Sequence, residues 1–379
     1  MLSLQDTAAA VALPTIGREL DLGASGLEWV VNAYTVALMT LVLPAGRLAD
    51  RFGRRRLFVI GLIVFGAGSL AAGLASDGAM LLAARVVQGA GAGLMGPASL
   101  ALVGETGGRR RAAAVGAWAG AAAAGLALGP LLGAVLTEQL GWSWIFLADV
   151  PLVVLALAVV PGALLRDAPG RDRRTLDMGG AVLAAIALGG GIFALTEGGF
   201  YGWTSPSVLA AAALTLVTAV AFVAVERRLQ EPLVQLALFR DRAFSGANLV
   251  TLLSTAVMCS VLFFMSLYLQ LALGYSPLRA GLAFLPMTAT IVVAAPLAGA
   301  LADRIGPRVP AVGGMLALAL GLLGLAQLGV DGSFVATLAS LALIGVGAGL
   351  TTTPVTEPPS TPSPRNGAAR PPESSRLSA

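Results

Sequence analysis

The sequence predicts an all-α polytopic membrane protein, and three observations support this fold class. Hydrophobic residues make up 57% of the 379 residues, whereas soluble domains contain about 45–50%. The apolar residues gather in runs of helix length, and about 20 such residues in a helix span the hydrocarbon core of a bilayer. Arginines fall in alternate loops between these runs. A soluble protein of this composition would expose more apolar surface than water tolerates.

Twelve apolar runs are candidates for transmembrane helices. They cover residues 1–17, 27–48, 57–76, 79–103, 112–136, 144–165, 178–196, 206–225, 244–272, 280–301, 309–330 and 333–355. Glycine, with 48 residues in the chain, is frequent inside the runs, as expected where helix backbones approach closely in lipid. We therefore predict about twelve transmembrane helices.

The loop charges predict how these helices are oriented. One set of loops carries nearly all of the loop arginines: Arg47, Arg51, Arg54, Arg55, Arg56, Arg109, Arg110, Arg111, Arg166, Arg171, Arg173, Arg174, Arg227, Arg228, Arg240, Arg242, Arg304 and Arg308. The other loops hold mainly acids, at Glu19, Asp21, Asp77, Glu138, Glu197 and Asp331, with Arg18 and Arg279 as exceptions. Loops rich in arginine stay in the cytoplasm. We therefore expect a multi-pass protein of the cell membrane with both termini in the cytoplasm.

Missing residue types exclude several kinds of chemistry. The chain has no histidine, one cysteine, and no lysine among its 24 basic residues. These gaps exclude a Ser-His-Asp triad, a His/Cys zinc site, a disulfide framework and a lysine Schiff base. Only 12% of the residues are charged and 6% are aromatic, too few for a surface that follows nucleic-acid phosphates. We expect no enzyme activity, metal, cofactor or nucleic-acid partner, and the lipid bilayer as surroundings.

One short stretch matches a nucleotide-binding pattern by spacing alone. GAGLMG, at residues 91–96, fits the glycine spacing of dinucleotide-binding loops. Such a loop must follow a strand and open a helix, whereas this stretch lies inside an apolar run. We therefore predict no dinucleotide site there.

A charged stretch, GRLADRFGRRR at residues 46–56, separates the second and third apolar runs. A second copy, GALADRIGPRV at residues 299–309, lies between two later runs. The matching positions of interest are Gly46, Asp50, Arg51, Gly53, Arg54 and Arg55 in the first copy and Gly299, Asp303, Arg304 and Gly306 in the second. A helix–loop–helix repeated in two halves is typical of transporters built from duplicated bundles, which bind substrate near the midplane.

The loop at residues 46–56 resembles the signature loop of the major facilitator superfamily. Other stretches resemble motifs of that superfamily and of its fourteen-spanner drug:proton antiporter branch: LLAARVVQGAGAG (81–93), GLALGPLLGAVL (125–136), WSWIFLADVP (142–151), TEGGFYGWTSP (196–206) and YLQLALGYSPLRAGLAFLP (268–286). Ser143 and Asp149 stand where the branch usually has arginine and asparagine. The resemblance covers nearly all of residues 1–355.

The resemblance implies a fold and a function. The expected fold is the major facilitator fold, two pseudo-symmetric helix bundles with two extra central helices. The expected domains are an N-terminal six-helix bundle (1–165), two extra helices with cytoplasmic linkers (166–243), an incomplete C-terminal bundle of four helices (244–355) and a disordered tail (356–379). The expected function is proton-coupled export of small lipophilic or drug-like molecules by alternating access, a multidrug efflux that confers antibiotic resistance. The oligomeric state stays open, with a monomer as the expectation.

The same resemblance assigns roles to two charged sites. The Asp50 loop would hold the two bundles together on the cytoplasmic side in the outward-open state, acting as a gate. A basic loop can also serve only to set topology. Arg85 would belong to proton coupling; alternatively, its long side chain reaches the membrane surface and has no such role.

The stretch at residues 125–136 resembles the antiporter motif. Its key positions are Gly125, Gly129, Pro130 and Gly133. By resemblance they seal the interface between the bundles against proton leak, and tight helix packing is compatible with that role.

The first apolar run departs from the branch pattern, L-D-x-T-x-V-N-V-A-L-P. Gln5 stands at the aspartate position and Ala10 at the asparagine position. Asp6 follows Gln5, about 100° further round a helix. Asp6 either replaces the missing carboxylate as proton carrier or lies solvated near the cytoplasmic boundary, and both interpretations stay open. Residues that bind the substrate are not identified.

The branch pattern predicts fourteen spanning helices, two more than the apolar runs found. Residues 356–379 are polar and Pro/Ser-rich, a composition that predicts disorder. Their abrupt start is typical of a frameshift, with a natural regulatory tail as the alternative, and a start upstream of residue 1 is also expected. The alternative function is therefore a non-transporting truncated remnant or a partner-binding membrane protein.

Overall fold

Fourteen α-helices make up most of the described part of the chain in this computed structural model. The structure describes residues 2–104, 109–159, 178–229, 234, 236–328 and 334–352. The helices are α1 (Leu2–Glu19), α2 (Ala24–Phe52), α3 (Arg54–Gly73), α4 (Gly78–Gly104), α5 (Arg109–Leu140), α6 (Ser143–Leu147), α7 (Asp149–Val159), α8 (Met178–Tyr201), α9 (Pro206–Glu226), α10 (Arg242–Leu267), α11 (Pro277–Ala283), α12 (Leu285–Ile305), α13 (Arg308–Ala326) and α14 (Phe334–Thr352). No strand occurs in these ranges, which confirms the all-α prediction. The tail predicted at 356–379 lies outside them.

Each of the twelve predicted runs contains at least one helix. Within the described ranges, nine helical stretches are long and apolar enough to cross a membrane: Ala24–Val42, Arg54–Gly73, Gly78–Val103, Gly179–Tyr201, Pro206–Glu226, Arg242–Ala272, Pro277–Ala302, Arg308–Ala326 and Phe334–Thr351. A tenth apolar stretch, Ser143–Ala158, is shorter. Helices α1 and α5 occupy the runs at 1–17 and 112–136. The helical, polytopic character predicted from the sequence is therefore confirmed.

Two of the predicted runs are each divided by a helix break. The break between α6 and α7 falls at Ala148, three residues before Pro151. The break between α11 and α12 falls at Phe284, two residues before Pro286. Proline has no N–H to donate to the carbonyl four residues earlier, and its ring clashes with that carbonyl. The two prolines therefore account for the two breaks.

Helices α1 to α7 pack into a first group in which glycines allow close contact. Helix α3 lies against α4, α6 and α7, α2 lies against α4, and α1 lies against α5. A Cβ atom at Gly68 would meet the backbone of Gln88, and one at Gly91 would meet the backbone of Phe65. Glycine therefore lets α3 and α4 approach closely. Because Gly91 belongs to GAGLMG, the position of that stretch inside α4 agrees with the exclusion of a dinucleotide loop.

Helices α10 to α14 pack into a second group. Helix α14 lies against both α12 and α13. A Cβ atom at Gly345 would meet the backbone of Met287 on α12, and Gly314 of α13 lies against Gly347 of α14. Helices α8 and α9, which come between the two groups in the sequence, form a hairpin beside α2.

The two groups meet along α1 and α5. Val11 and Ala134 of the first group share an apolar cluster with Leu269 and Phe284 of the second, and all four are buried. This contact buries apolar side chains from both groups and stabilises their association.

Two hydrogen bonds also join the groups. The side-chain nitrogen of Gln270 donates to the carbonyl of Val11 at 2.8 Å. The backbone nitrogen of Leu278 donates to Oε2 of Glu138 at 2.8 Å. Glu138 lies in the last turn of α5 and Leu278 in the first turn of α11. The second bond therefore lies at the end of the helices that carries the acidic loops, away from the arginine loops.

Large apolar side chains cover much of the outer surface. Leu195, Val217 and Val335 are 69%, 65% and 74% exposed. Such a surface would be unstable in water but matches the hydrocarbon of a bilayer, where each helix satisfies its own backbone hydrogen bonds.

Candidate functional site

Arg85 of α4 is completely enclosed by the first group of helices. Its side chain is 1% exposed. Its Nε donates to the carbonyl of Val30 on α2 at 2.8 Å, and its Nη1 donates to Oε1 of Gln88 at 2.6 Å. The guanidinium carbon lies 4.3 Å from the ring centroid of Tyr34 and 5.7 Å from that of Phe146. The structure therefore excludes the alternative in which Arg85 extends to the membrane surface.

The hydrogen bonds of Arg85 continue into α3 through Gln88. The Nε2 of Gln88 donates to the hydroxyl of Ser69 at 2.8 Å, and both side chains are fully buried. Gly68, next to Ser69, lets the α3 backbone reach Gln88. Arg85, Gln88 and Ser69 thus form a hydrogen-bonded chain inside an apolar bundle, where each polar group has a partner as buried groups require.

A second polar contact lies between α1 and α7. Gln5 is fully buried and Asp149 is 1% exposed. With the Gln5 amide assigned by its surroundings, as amide orientation must be, its nitrogen donates to Oδ2 of Asp149 at 2.8 Å and to the carbonyl of Ile145 at 3.3 Å. The positive charges of the N-terminal amino group and of Arg85 both act on the Asp149 carboxylate. The two polar contacts therefore belong to one buried cluster, which we call the Arg85 cluster: Gln5, Ser69, Arg85, Gln88 and Asp149.

Asp149 was not predicted as a site residue. The sequence contained one signal for it, the aspartate at a position where the branch usually has asparagine. Its contact with Gln5, which is itself at a position where the branch has aspartate, depends on how α1 and α7 pack. Asp6, the predicted carboxylate, lies in α1, and its side chain falls outside the described part of the structure.

The two copies of the charged loop share one backbone geometry. Gly53 follows α2 with φ 97° and ψ 131°, and Gly306 follows α12 with φ 86° and ψ 156°. Their N–H groups donate to the carbonyls of Ala49 and Ala302 at 3.0 and 2.9 Å. Residues with a Cβ atom rarely adopt such positive φ angles. Glycine is therefore required at the same position of both loops.

The loop arginines lie at helix ends. Arg51 and Arg304 are exposed in the last turns of α2 and α12. Arg54 and Arg55 are half-buried at the start of α3. All four therefore remain close to the charged end of the protein, as a loop between spanning helices requires.

The remaining loop positions lie within the helices. Asp50 and Asp303 belong to the last turns of α2 and α12, and their side chains fall outside the described part. Gly46 is exposed with open space around it, and Gly299 is half-buried in α12. The structure therefore supports the repeat as a backbone motif.

The predicted antiporter motif places glycines of α5 against α1. A Cβ atom at Gly129 would overlap the side chain of Thr7, and one at Gly133 would lie 2.7 Å from Cα of Ala8. Both positions therefore need glycine for α1 and α5 to stay in contact.

The same part of α5 also faces the second group. A Cβ atom at Gly281 of α11 would lie 2.9 Å from the carbonyl of Pro130 and 2.5 Å from Cβ of Ala134. Pro130 is buried, while Gly125, nearer the start of α5, is half-buried. The motif thus lies where the first group meets the second, the location that its predicted sealing role requires.

The hairpin of α8 and α9 is held to α2 by a buried acid. Glu197 is 5% exposed, and its Oε1 accepts from the indole nitrogen of Trp29 at 2.6 Å and from the hydroxyl of Ser25 at 3.0 Å. Nearby, Nδ2 of Asn32 donates to the hydroxyl of Thr196 at 2.9 Å. The prediction that Glu197 lies in a loop is wrong, because α8 continues past it and these donors bury its carboxylate.

Comparison with known proteins agrees with this architecture. The family described as Major Facilitator Superfamily matches residues 1–369. Multidrug resistance protein Stp of Mycobacterium tuberculosis is 36% identical over 94% of this chain and 66% of its own length. The tetracenomycin C resistance and export protein of Streptomyces glaucescens is 34% identical over 92% and 65%, and the puromycin resistance protein pur8 of Streptomyces alboniger is 38% identical over 86% and 65%.

The fold has solved counterparts. The crystal structure of a peptide transporter, POT, matches with a TM-score of 0.65 at 17% identity, covering 92% of this chain and 77% of that one. A second structure of POT, in complex with sulfate, matches with a TM-score of 0.60 at 18% identity. The chain spans about two thirds of the length of the curated relatives named above. From its sequence and its fold, the chain belongs to the major facilitator superfamily.

Proposed function

We propose that this chain is a proton-coupled secondary active transporter that exports small lipophilic or drug-like molecules across the cytoplasmic membrane by alternating access. The observation that carries this proposal is the Arg85 cluster, which buries charged groups inside a bundle of apolar helices. Ionisable residues at such a depth are costly and mark ion or substrate pathways. The resistance and export activities named for the relatives support the same function.

The proposed domain organisation follows the packing. An N-terminal bundle (1–165) and a second bundle (244–355) are joined by two extra helices and their linkers (166–243). The packing of α1–α7, of α8–α9 and of α10–α14 supports this division. We place the arginine loops and both termini in the cytoplasm, because loops rich in arginine remain on that side. The protein would act as a monomer in the plasma membrane.

In this orientation, the hydrogen bond between Glu138 and Leu278 closes the outer end of the molecule. An alternating-access transporter that is closed at its outer end would admit its substrate from the cytoplasm. The loop around Asp50 would join the bundles on the opposite side after the substrate has moved to the outside. A contact made in only one of two conformations shifts the equilibrium between them, which is what a gate does.

The substrates would be lipophilic, because the side chains packed where the two bundles meet are apolar. Compounds named for the relatives give a first panel: puromycin, lincomycin and tetracenomycin C. Expression of the full chain in a drug-sensitive bacterium should raise the inhibitory concentration of at least one of them.

A direct test uses inverted membrane vesicles with an acidic lumen and the lipophilic cation ethidium. If one proton is exchanged per dye molecule, each pH unit of gradient can support about a tenfold accumulation of dye. The wild-type chain should accumulate ethidium, and both Asp50→Asn and Arg85→Ala should lower the accumulation. If the intact protein moves no dye in response to the pH gradient, the proposal fails and a non-transporting membrane protein becomes the better interpretation.

A further inference from the structure

Two departures from the branch pattern contact each other in the structure. Gln5 replaces an aspartate on α1, and Asp149 replaces an asparagine on α7. The two side chains meet at 2.8 Å, and both are buried. The contact between α1 and α7 therefore joins one amide and one carboxyl group, and the carboxyl group is on α7.

We propose that the carboxyl group of Asp149 binds and releases the exchanged proton, and that Gln5 is its hydrogen-bond partner in both protonation states. This inference rests on the proposed function, because it names the residue that carries the proton. It differs from the sequence-based expectation, in which Asp6 was the candidate carboxylate for carrying the proton.

Burial gives the first argument. The Asp149 carboxylate is 1% exposed and has therefore lost its hydration. This loss is strongly unfavourable unless hydrogen bonds and an opposite charge replace the water. The Gln5 amide supplies one hydrogen bond, and the N-terminal amino group and Arg85 supply positive charges that act on Asp149. Among the described residues of the Arg85 cluster, Gln5, Ser69 and Gln88 are neutral and Arg85 is the positively charged one.

The chemistry of an amide gives the second argument. The Gln5 N–H can donate to the charged carboxylate, and after the amide turns over, its carbonyl can accept from the protonated acid. A second carboxylate at position 5 would instead repel the first, and an alkyl side chain would leave both states without a partner. Glutamine therefore supports both states of Asp149 at one contact, as reversible proton binding requires.

The charge balance gives the third argument. Proton binding converts the carboxylate of Asp149 into a neutral acid, while Arg85 stays positive. The site, on which the N-terminal amino group and Arg85 both act, thus gains one positive charge in surroundings of low dielectric, where charges interact strongly. A proton and a cationic substrate such as ethidium would then disfavour each other's binding. Mutual exclusion of this kind is the thermodynamic basis of exchange.

The transport test compares ethidium accumulation driven by a pH gradient with exchange of ethidium across vesicles at equal pH. Asp149→Asn keeps the shape of the side chain and should lower the ratio of driven accumulation to exchange towards that of vesicles without a gradient. Asp6→Asn should leave the ratio at the wild-type value. Asp77→Asn, which changes an exposed acid, serves as the matched control.

A relocation variant keeps the test independent of damage to the fold. The double change Gln5→Asp with Asp149→Asn returns a carboxyl and an amide group to the same contact, with the carboxyl group on α1. It should restore a substantial part of the driven accumulation that Asp149→Asn loses. A purely structural role of Asp149 predicts no such recovery of proton-driven transport.

Infrared difference spectroscopy of the purified full chain separates this proposal from the proposed function. Acidification should produce the carbonyl band of a buried carboxylic acid, and Asp149→Asn should remove it, whether or not the vesicles transport ethidium. Persistence of the band in Asp149→Asn together with its loss in Asp6→Asn would overturn the proposal while leaving proton-coupled transport intact. Loss of dye transport by the wild type, with the band still assigned to Asp149, would refute the export function alone.

Discussion

At the scale of single residues, the surroundings of the buried Arg85 place the strictest requirements on the side chain. Arg85 uses Nε and Nη1 for two different acceptors, and its guanidinium plane stacks near Tyr34. Lysine has a compact ammonium group without this fork and without a planar face for stacking. Arginine is therefore the only cationic side chain that can satisfy all three contacts at once.

Arg85→Lys should reduce both the stability and the transport of the protein. A lost hydrogen bond from a charged group costs about 1.5–3 kcal/mol, so the variant should unfold at a lower temperature in detergent. Ethidium accumulation driven by pH should fall with it. Arg279→Lys is the matched control, because Arg279 is exposed and stacks on Tyr275 at 3.9 Å. Equal unfolding temperatures for Arg85→Lys and the wild type would show that the three contacts contribute little.

Arg85 and Asp149 show what sequence reasoning can find at this scale. Arg85 stands out because a charge inside an apolar run is costly wherever the run packs. Asp149 also lies inside a predicted run, at 144–165, but the sequence gives no partner for it and it stands out only as a departure from the branch pattern. Its importance depends on Gln5, 144 positions earlier in the chain, and such a pairing is decided by helix packing.

At the scale of helices, α5 is the element on which both groups depend. Its glycines lie against α1, and its carbonyl at Pro130 lies against α11. Helix α5 is therefore packed against helices of both groups. Small residues make this possible. In lipid no hydrophobic force drives helices together, so their association depends on close packing of their backbones, which small residues allow.

Gly133→Ala should weaken the packing of α5 against α1. The added methyl group would lie 2.7 Å from the Ala8 backbone, and overpacking of this kind costs about 1–3 kcal/mol. We expect a lower unfolding temperature and a faster leak of protons through vesicles that contain the variant. Gly120→Ala, also on α5 but exposed and with open space around it, should behave like the wild type. If protons leak equally fast with Gly133→Ala and with Gly120→Ala, the motif has no sealing role.

Hydropathy predicts the existence of the helices well and their interruptions poorly. The described part of each of the twelve runs contains a helix, because apolar segments of this length satisfy their backbone hydrogen bonds internally in lipid. The breaks at Ala148 and Phe284 were missed because proline inside a spanning helix does not always interrupt it: α2 continues through Pro44 and α5 through Pro130. Whether a proline bends or breaks a helix depends on the neighbouring helices, which hydropathy does not describe.

At the scale of the whole molecule, the placement of one group against the other is the feature least accessible from the sequence. A transporter that alternates access needs two placements of similar free energy, so one sequence must permit both. The charged loop and its repeat predicted that two related halves exist. They did not predict which end of the molecule the structure would show closed.

Joining the closed end covalently should stop transport. In a Cys259→Ser background, Glu138→Cys and Leu278→Cys place thiols on α5 and α11, where the native residues share a hydrogen bond. A short bifunctional thiol reagent should join them and abolish the exchange of ethidium, because the bundles must separate here for access to alternate. Without the reagent, and with either cysteine alone, the exchange should continue. If the joined protein exchanges ethidium at the unjoined rate, this end does not open during transport, and the proposed alternation of access at this end is wrong.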